Sequence, residues 1–286
     1  MPSILFLADP DGPPSNNNIE TLPAAFEAAG WLTVLGTHSL SWLDGAVYAG
    51  REQLTDFDLV WPIGLGKRHD FIDRMQLLAH SGARCINPPS AYLLLHGKLM
   101  WADLMPLTFA SANPEELVPH LPRRERWILK PAAGSFGRGV LRLASTDTNQ
   151  LFSTMRRSPG EWFLLQQENP DISRGEHRTL VAGGEIVGSY RREPGARGIA
   201  NLAAGGIASA GQPQGREAEV VELVRARLDG QSVGFAAIDT SGDHLVEVNV
   251  ANPGGLGTLR QVWQADFGAR LVDSVSRWSS LPTNKN

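Results

Sequence analysis

The chain contains a single cysteine, Cys85, so no disulfide framework can form within it. Cys85 stands in the short apolar run ARCIN and reads as a buried small hydrophobe, not as a nucleophile. Lysine is almost as scarce. The 26 basic residues include only four lysines, Lys67, Lys98, Lys130 and Lys285, so arginine supplies 22. Each lysine position therefore carries information. The seven histidines are scattered, with no His/Cys spacing of a zinc site. No apolar run approaches the ~20 residues of a membrane span. The N-terminal MPSILFLADP has no basic leader, and its apolar run is too short for a signal peptide. The net charge of −4 argues against nucleic-acid or membrane partners. A cytoplasmic protein is expected.

What is present is ordinary for a globular chain: 286 residues, 42% hydrophobic and 20% charged. That length leaves room for more than one domain. Residues 1–90 alternate strand and helix patterns: Ile4–Ala8, a helix over Ile19–Ala29 with Asn18 as N-cap, Trp31–Leu35, Leu59–Ile63, a helix over Asp70–Ser81, and Cys85-Ile86. This is βαβ spacing, hence an α/β domain with a small parallel sheet. Residues 91–286 read as α+β. Helices are expected over Ala91–Leu104, Thr148–Arg157, Gln214–Asp229 and Phe267–Trp278. Strands are expected over Trp127–Lys130, Val140–Leu143, Trp162–Gln166, Thr179–Ala182, Glu185–Arg191, Val233–Asp239 and Leu245–Val250. The eight tryptophans are assigned to the core.

The stretch HLVEVNVANPGG, residues 244–255, raises the first question of chemistry. Alternation puts Val246, Val248 and Val250 on one face and Leu245, Glu247 and Asn249 on the other. The turn Thr240-Ser241-Gly242-Asp243 folds Asp239 back beside them. Two carboxylates and an amide would then share one small volume. Like charges so placed resist joint ionisation unless a cation is present, and an all-oxygen set suits Mg²⁺. A solvated polar face on an ordinary hairpin is the alternative, and these residues alone do not choose.

WILKPAAGSFGRGV, residues 127–140, is the second candidate. Gly134, Gly137 and Gly139 lie between two strand patterns, so the segment is neither a P-loop nor a dinucleotide fingerprint, both of which need a following helix. A Gly-rich hairpin can still fold over phosphates and offer them backbone N–H groups. A plain surface hairpin would read the same way. The coincidence favours phosphate: Lys98 in HGKLMWADL and Lys130 in ILKP join a Gly-rich hairpin and an Asp/Glu/Asn cluster in one Mg-nucleotide site.

These stretches, with INPPSAYLLLHGKL, QQENPDISRGEHRTLVAGGEIVGSYRREP and NLAAGG, resemble the ATP-grasp superfamily, and within it the bacterial glutathione synthetase family. They follow the family's order over most of residues 86–255. The resemblance implies an ATP-grasp fold, with a Rossmann-like pre-ATP-grasp domain over 1–90 and the ATP-grasp domain over 91–286. It implies ATP and two Mg²⁺ ions as cofactors, small carboxylate and amine substrates, and a homo-oligomer. Lys98 and Lys130 would contact the α- and β-phosphates. Ser135, Phe136, Gly137 and Gly139 would belong to the lid. Gln166, Gln167, Glu168 and Asn169 would form the adenine hinge, and Glu176 would hold the ribose. Asp239, Glu247 and Asn249 match the metal positions, with Glu247 as the bridge. Arg178 and Arg191 would face the transferred phosphate.

Three stretches depart from that pattern. WPIGLGKRHDF lacks the family's Arg-x-Asp-Pro-Pro, and Arg197 is displaced relative to the family's Thr-Arg-Gly-Asn. Asn252, Pro253, Gly254 and Gly255 replace an acceptor loop that carries hydroxyls in the family. Arg197, Asn252, Gly254 and Gly255 are thus the substrate-site candidates; Arg192, Arg197 and Arg260 are each able to hold a substrate carboxylate bidentately, with solvent exposure the favoured reading for any one of them. The GSFGRG segment is more like that of ligases acting on peptide or protein termini. Three functions are compatible: a ligase making a small peptide, a ligase modifying a polypeptide terminus, and a non-catalytic nucleotide-binding protein.

Overall fold

The computed structural model describes residues 1–8, 16–67, 69–134, 139–195, 202 and 205–280. Short apolar runs become the central strands. β1 (Ser3–Ala8) is flanked by parallel β2 (Leu32–Thr37) and β6 (Leu59–Pro62). α1 (Asn18–Ala28) and α2 (Phe71–His80) complete this unit, and Cys85 adds a single parallel bridge to Val60. Cys85 is buried, as its apolar setting predicts, and burial pushes its thiol up to about 12. A small antiparallel sheet of β3 (Leu40–Leu43), β4 (Ala46–Ala49) and β5 (Glu52–Gln53) sits between β2 and β6 in the chain. Its sequence is too short and too mixed to show a strand period.

α3 (Pro89–Leu94) is followed by a 3-10 turn over Lys98–Trp101. The single helix expected over Ala91–Leu104 does not form. Gly97 takes an extended conformation and re-aims the chain, which delivers Lys98 to the interior cleft. A four-stranded sheet follows, in the order β7-β10-β8-β9, built from β7 (Thr108–Ser111), β8 (Arg126–Pro131), β9 (Leu141–Ala144) and β10 (Phe163–Gln167). β8 and β9 pair antiparallel, as the arms of the Gly-rich segment should. α4 (Pro114–Leu117) and α5 (Thr148–Arg156) cover this sheet, and its core is its own: Leu117, Leu121, Trp127, Leu129, Leu143, Leu151, Met155, Phe163 and Leu165.

The largest sheet runs β13-β12-β11-β14-β15. It comprises β11 (Glu176–Ala182), β12 (Glu185–Glu193), β13 (Ile207–Ala210), β14 (Phe235–Ser241) and β15 (His244–Asn249). α6 (Arg216–Gly230) packs on one face with Val181, Ala236, Ile238, Leu245, Val248 and Val250. α7 (Leu256–Trp263) and α8 (Gly268–Ser280) close the other. There Leu180, Tyr190 and Phe235 join Ile4, Phe6, Leu22, Phe26, Trp61, Leu271 and Val275 in one cluster. The N-terminal parallel unit thus shares a core with the five-stranded sheet, whereas the four-stranded sheet stands on a separate one. Phe6, Phe26, Trp61 and Phe235 interlock with ring centroids 5.3–5.9 Å apart. Aromatic pairs at such spacing add about 0.5–1.5 kcal/mol each beyond area burial.

Several local expectations are corrected. Leu245 lies with Val248 and Val250 in the core, not with Glu247. The register shifts at Asp239/Thr240, so Thr240 faces Leu245 while Asp239 faces Glu247. Val246 is the extra residue of a bulge, and a bulge resets the alternation. Asn18 does not cap α1: it is the helix's first residue and is 1% exposed. Trp61, Trp101 and Trp127 are core residues, but Trp42, Trp162 and Trp263 are exposed.

Candidate nucleotide and metal site

The four-stranded sheet, the five-stranded sheet and the 3-10 turn at Lys98 bring together residues far apart in the chain, 149 positions for the pair Lys98 and Glu247. Lys98 enters on its 3-10 turn, which Trp101 anchors by burying its ring and donating Nε1 to Leu95 O (2.9 Å). Lys98 Nζ donates to Gly134 O (2.8 Å) and stands 3.5 Å from a Glu247 carboxylate oxygen. It therefore ties the entry of the Gly-rich segment to β15. Lys130 extends from β8 and donates to Gln166 Oε1 (2.9 Å), whose Nε2 donates to Thr108 Oγ1 (2.8 Å). Burial, reinforced by the nearby charge of Lys98 and opposed by Glu247, lowers the Lys130 ammonium to about 8.

Asp239 and Glu247 are directly opposed across β14–β15, and Asn249 lies two residues further on, opposite Ala237. The three share one face. Asp239 is almost fully buried and is held by two arginines. Arg178 engages it through Nε (2.8 Å) and Nη2 (2.7 Å), and Arg192 Nη2 reaches the same carboxylate at 2.7 Å. Arg192 also pairs with Glu176 at 2.6 Å. Burial alone would raise the Asp239 carboxyl, but Arg178 and then Arg192 outweigh it and hold it well below the usual range. Burial pushes Glu176 the other way, up to about 7, against the pull of Arg192. Burial would also lower Arg178, yet Asp239 keeps it raised and charged.

The charges do not cancel. Lys98, Lys130, Arg178 and Arg192 face Glu176, Asp239 and Glu247: four cations against three carboxylates. A polyphosphate suits that surplus. The donor set also fits Mg²⁺, since Asp239, Glu247 and Asn249 offer oxygen only and no soft ligand. Among the described residues no group of three or more His, Cys, Asp or Glu could hold a metal alone. Phosphate oxygens would have to complete the coordination, and Asp239 would have to give up part of its arginine pairing.

The remaining expected residues divide. In the hinge, Gln166 faces the cleft, but Gln167 accepts from Arg124 (3.1 Å), and Glu168 turns outward to Arg142 (3.0 Å) and Arg126 (3.4 Å). Asn169 Nδ2 donates to Ser241 O (2.9 Å), tying the hinge to the end of β14. Gly139 has φ +72°, and a Cβ there would fall 2.9 Å from Pro131 Cγ, so glycine is required. Ser135, Phe136, Gly137 and Arg197 lie outside the described residues.

Arg191 is not brought to this site. Strand pairing sets Glu176 opposite Arg192 and His177 opposite Arg191. Arg191 points away, bonding Arg174 O (2.6 Å) and pairing with Glu193 (3.3 Å) near solvent. Arg192, read from sequence as solvent-exposed, is buried at the centre. A signal for this existed. Tyr190 is a large core residue, and a strand's period of two places residue 192 on the same face.

The acceptor-side candidates play backbone roles. Arg178 Nη1 donates to Gly254 O (3.1 Å). Asn249 Oδ1 accepts from Ala251 N and Asn252 N, both at 3.1 Å. Gly255 has φ +137° and lies against Tyr190, where a Cβ would sit 2.9 Å from the hydroxyl. Sequence reasoning missed Asn87. Its side chain bonds Phe235 N, Phe235 O and Val250 O, each at 2.7 Å, and so fixes the base of β14 and the end of β15. It also missed Asn16 and Asn18, whose amides reach this loop.

Comparison with known proteins agrees with this geometry. The family model described as the ATP-grasp domain of prokaryotic glutathione synthetase matches residues 97–264. The glutathione synthetase of Agrobacterium fabrum is 31% identical over 183 residues, covering 62% of this chain and 56% of that protein. The one from Neisseria meningitidis serogroup A is 31% identical over 212 residues, covering 72% and 67%. The chain thus spans between about half and two-thirds of the length of these two relatives. Among solved structures, the D-cycloserine synthetase DcsG matches with a TM-score of 0.75 at 14% identity, over 96% of this chain and 99% of that one. The ATP-grasp ligase PsnB, complexed with a minimal precursor, matches with a TM-score of 0.71 at 16% identity, over 97% and 99%. At such identities the likeness shows the fold, and that fold is ATP-grasp. Among the described residues no helix is long and apolar enough to cross a membrane.

Proposed function

The chain belongs to the prokaryotic glutathione synthetase ATP-grasp family, and from that premise we propose that it is an ATP- and Mg²⁺-dependent ligase joining a carboxylate to an amine through an acyl-phosphate. One observation carries the reading: Lys98, Lys130, Arg178, Arg192, Asp239 and Glu247 come from separate elements onto one cleft, with a surplus of positive charge. Lys98 and Lys130 hold the α- and β-phosphates. Gln166 to Asn169 flank adenine, and Glu176 takes the ribose hydroxyls. Ser135 to Gly139 close over the phosphates. Arg178 and Arg192 face the transferred group, with Arg192 replacing Arg191 in that role. Asp239, Glu247 and Asn249 would hold Mg²⁺. Bound Mg²⁺ would neutralise charge on the transferring phosphoryl group. We read the N-terminal parallel unit as the pre-ATP-grasp domain, and the protein as a homo-oligomer.

The chemistry follows from what the residues can stabilise. A carboxylate oxygen of the acid attacks the γ-phosphorus and ADP leaves. The amine nitrogen then attacks the acyl carbon, loses its proton, and phosphate departs. Negative charge spreads in both steps, and Arg178 and Arg192, preorganised in a buried setting, are placed to meet it. The acyl-phosphate must be kept from water, which a closing Gly-rich segment supplies. The test is ADP formation with γ-glutamyl dipeptides, other small carboxylates and pooled amino acids. Phosphate release with a new amide product supports the reading. ATP binding without turnover on any pair overturns it.

A second reading is a ligase acting on a polypeptide. It is favoured by the GSFGRG segment and the altered loop Asn252-Pro253-Gly254-Gly255, and by a fold shared with PsnB, an ATP-grasp ligase complexed with a precursor peptide. A mass shift on an offered peptide, with none on free amino acids, would select it.

A further inference from the structure

The run Asn16-Asn17-Asn18 at the start of α1 reaches across the molecule to the loop after β15. Asn16 Nδ2 donates to Asn252 O (3.0 Å). Asn18 Nδ2 donates to Asn252 Oδ1 (2.6 Å) and Pro253 O (3.3 Å). Asn16 Oδ1 accepts from the backbone N–H of Asn18 (2.9 Å), which fixes the Asn16 side chain to the start of α1. The loop has made room for them. A Cβ on Gly254 would lie 2.8 Å from Asn16 Nδ2, and one on Gly257 would lie 2.7 Å from Asn17 Nδ2. Asn18 is 1% exposed and its Oδ1 has no partner, so its two donated bonds are what offset the cost of burying the amide.

The chain of bonds does not end at Asn252. The backbone N–H groups of Ala251 and Asn252 both terminate on Asn249 Oδ1. An amide oxygen that accepts two such bonds has both lone pairs engaged, so its rotamer is set by where those N–H groups lie, and Mg²⁺ would draw on it only as those bonds lengthen or one is released. We propose that Asn16 and Asn18 are positioning residues that act through Asn252 on Asn249, so that the N-terminal unit sets the geometry of the metal arm; this rests on the nucleotide-site reading given above. Holding the two units together does not require them. Asn87 and the shared core of Phe6, Trp61 and Phe235 already do that.

The probe is ADP, titrated with and without Mg²⁺ by calorimetry against wild type, Asn16→Ala, Asn18→Ala, Asn249→Ala and the Asn18→Ala/Asn249→Ala double variant. Losing a group that orients a metal ligand costs about 10–100-fold in metal affinity. The expected result is an unchanged ADP affinity without metal and about a tenfold smaller gain on adding Mg²⁺ in Asn16→Ala and Asn18→Ala. The double variant should fall no further than Asn249→Ala alone, because both act on one amide. Hydrogen exchange should quicken at the amides of Ala251 and Asn252 but not at Phe235, whose N–H is held by Asn87. Asn16 is only half-buried, so its variant keeps the test open if Asn18→Ala fails to fold. A Mg²⁺ gain equal to wild type in Asn16→Ala, or losses that add to that of Asn249→Ala, overturns the proposal. A wild type whose ADP affinity ignores Mg²⁺ overturns the metal reading and the proposal with it, whereas a Mg²⁺-sensitive wild type with variants that gain as much from Mg²⁺ sinks the proposal alone.

Discussion

The two halves of the cleft are built from different chemistry. One half is ionic: Lys98 and Glu247, and Arg178, Arg192, Glu176 and Asp239, pair at 2.6–3.5 Å, with Lys130 nearby on Gln166. The other is amide: Asn16, Asn18, Asn249 and Asn252 bond one another and the backbone of a loop ending in two glycines. Removing one member of a buried ion pair leaves its partner uncompensated, so the ionic half is sensitive to each loss. Amides tolerate burial with ordinary hydrogen bonds, so the other half degrades gradually.

That contrast can be broken or sharpened in order of effect. Glu247→Gln is expected to lower ADP formation by about 10²-fold or more while the fold persists, since the lost charge is one that would hold the Mg²⁺ serving the transition state. Normal turnover with an intact circular dichroism spectrum would remove Glu247 from the metal arm. Next, Arg192→Ala and Arg191→Ala separate the two faces of β12. Arg192→Ala leaves Glu176 short of its partner and should cost about 3–5 kcal/mol in chemical denaturation. Arg191→Ala loses a pair open to solvent and should cost under about 1 kcal/mol. Equal losses would contradict the assignment of Arg192 to the site.

Lys130 gives a pH signature. Its folded value of about 8 lies below the ordinary 10.5. Between those values the unfolded chain holds the proton and the folded chain does not, so this residue makes stability rise with pH across that window. The unfolding free energy of wild type, relative to Lys130→Met, should therefore increase from pH 8 to pH 10.5. A flat difference would mean the ammonium is not desolvated. Nucleotide affinity, which needs the ammonium charged, should fall over the same range. The smallest effect is expected on the amide side. Gly254→Ala sets a methyl against Asn16 and should raise the KM for ATP in the presence of Mg²⁺ a few-fold, roughly the worth of one strained hydrogen bond, with the affinity for metal-free ADP unchanged. A loss of metal-free ADP affinity would place Gly254 among the residues that touch the nucleotide itself.

How much of this was legible in the sequence varies by residue for physical reasons. Scarce lysines at 98 and 130 and the triad Asp239, Glu247 and Asn249 stand out because charge in an apolar setting needs a partner, and strand spacing names the face. Arg192 was misread although Tyr190 gave its parity, because an arginine in a row of arginines looks solvated until its strand is paired. Leu245 was misplaced because a bulge leaves no mark in a pattern of alternating apolar residues. By itself the sequence determined the order of the principal strands and helices, the ATP-grasp resemblance and the donor types of the ionic half, all of which depend on local period and residue chemistry. Tertiary structure alone decided which arginine enters, how Asp239 is shared between Arg178 and Arg192, and that Asn16 and Asn18 at the start of α1 meet a loop more than 230 residues away. Those are pairings between distant segments, and an amide carries no sign of charge or period that would announce its partner in advance.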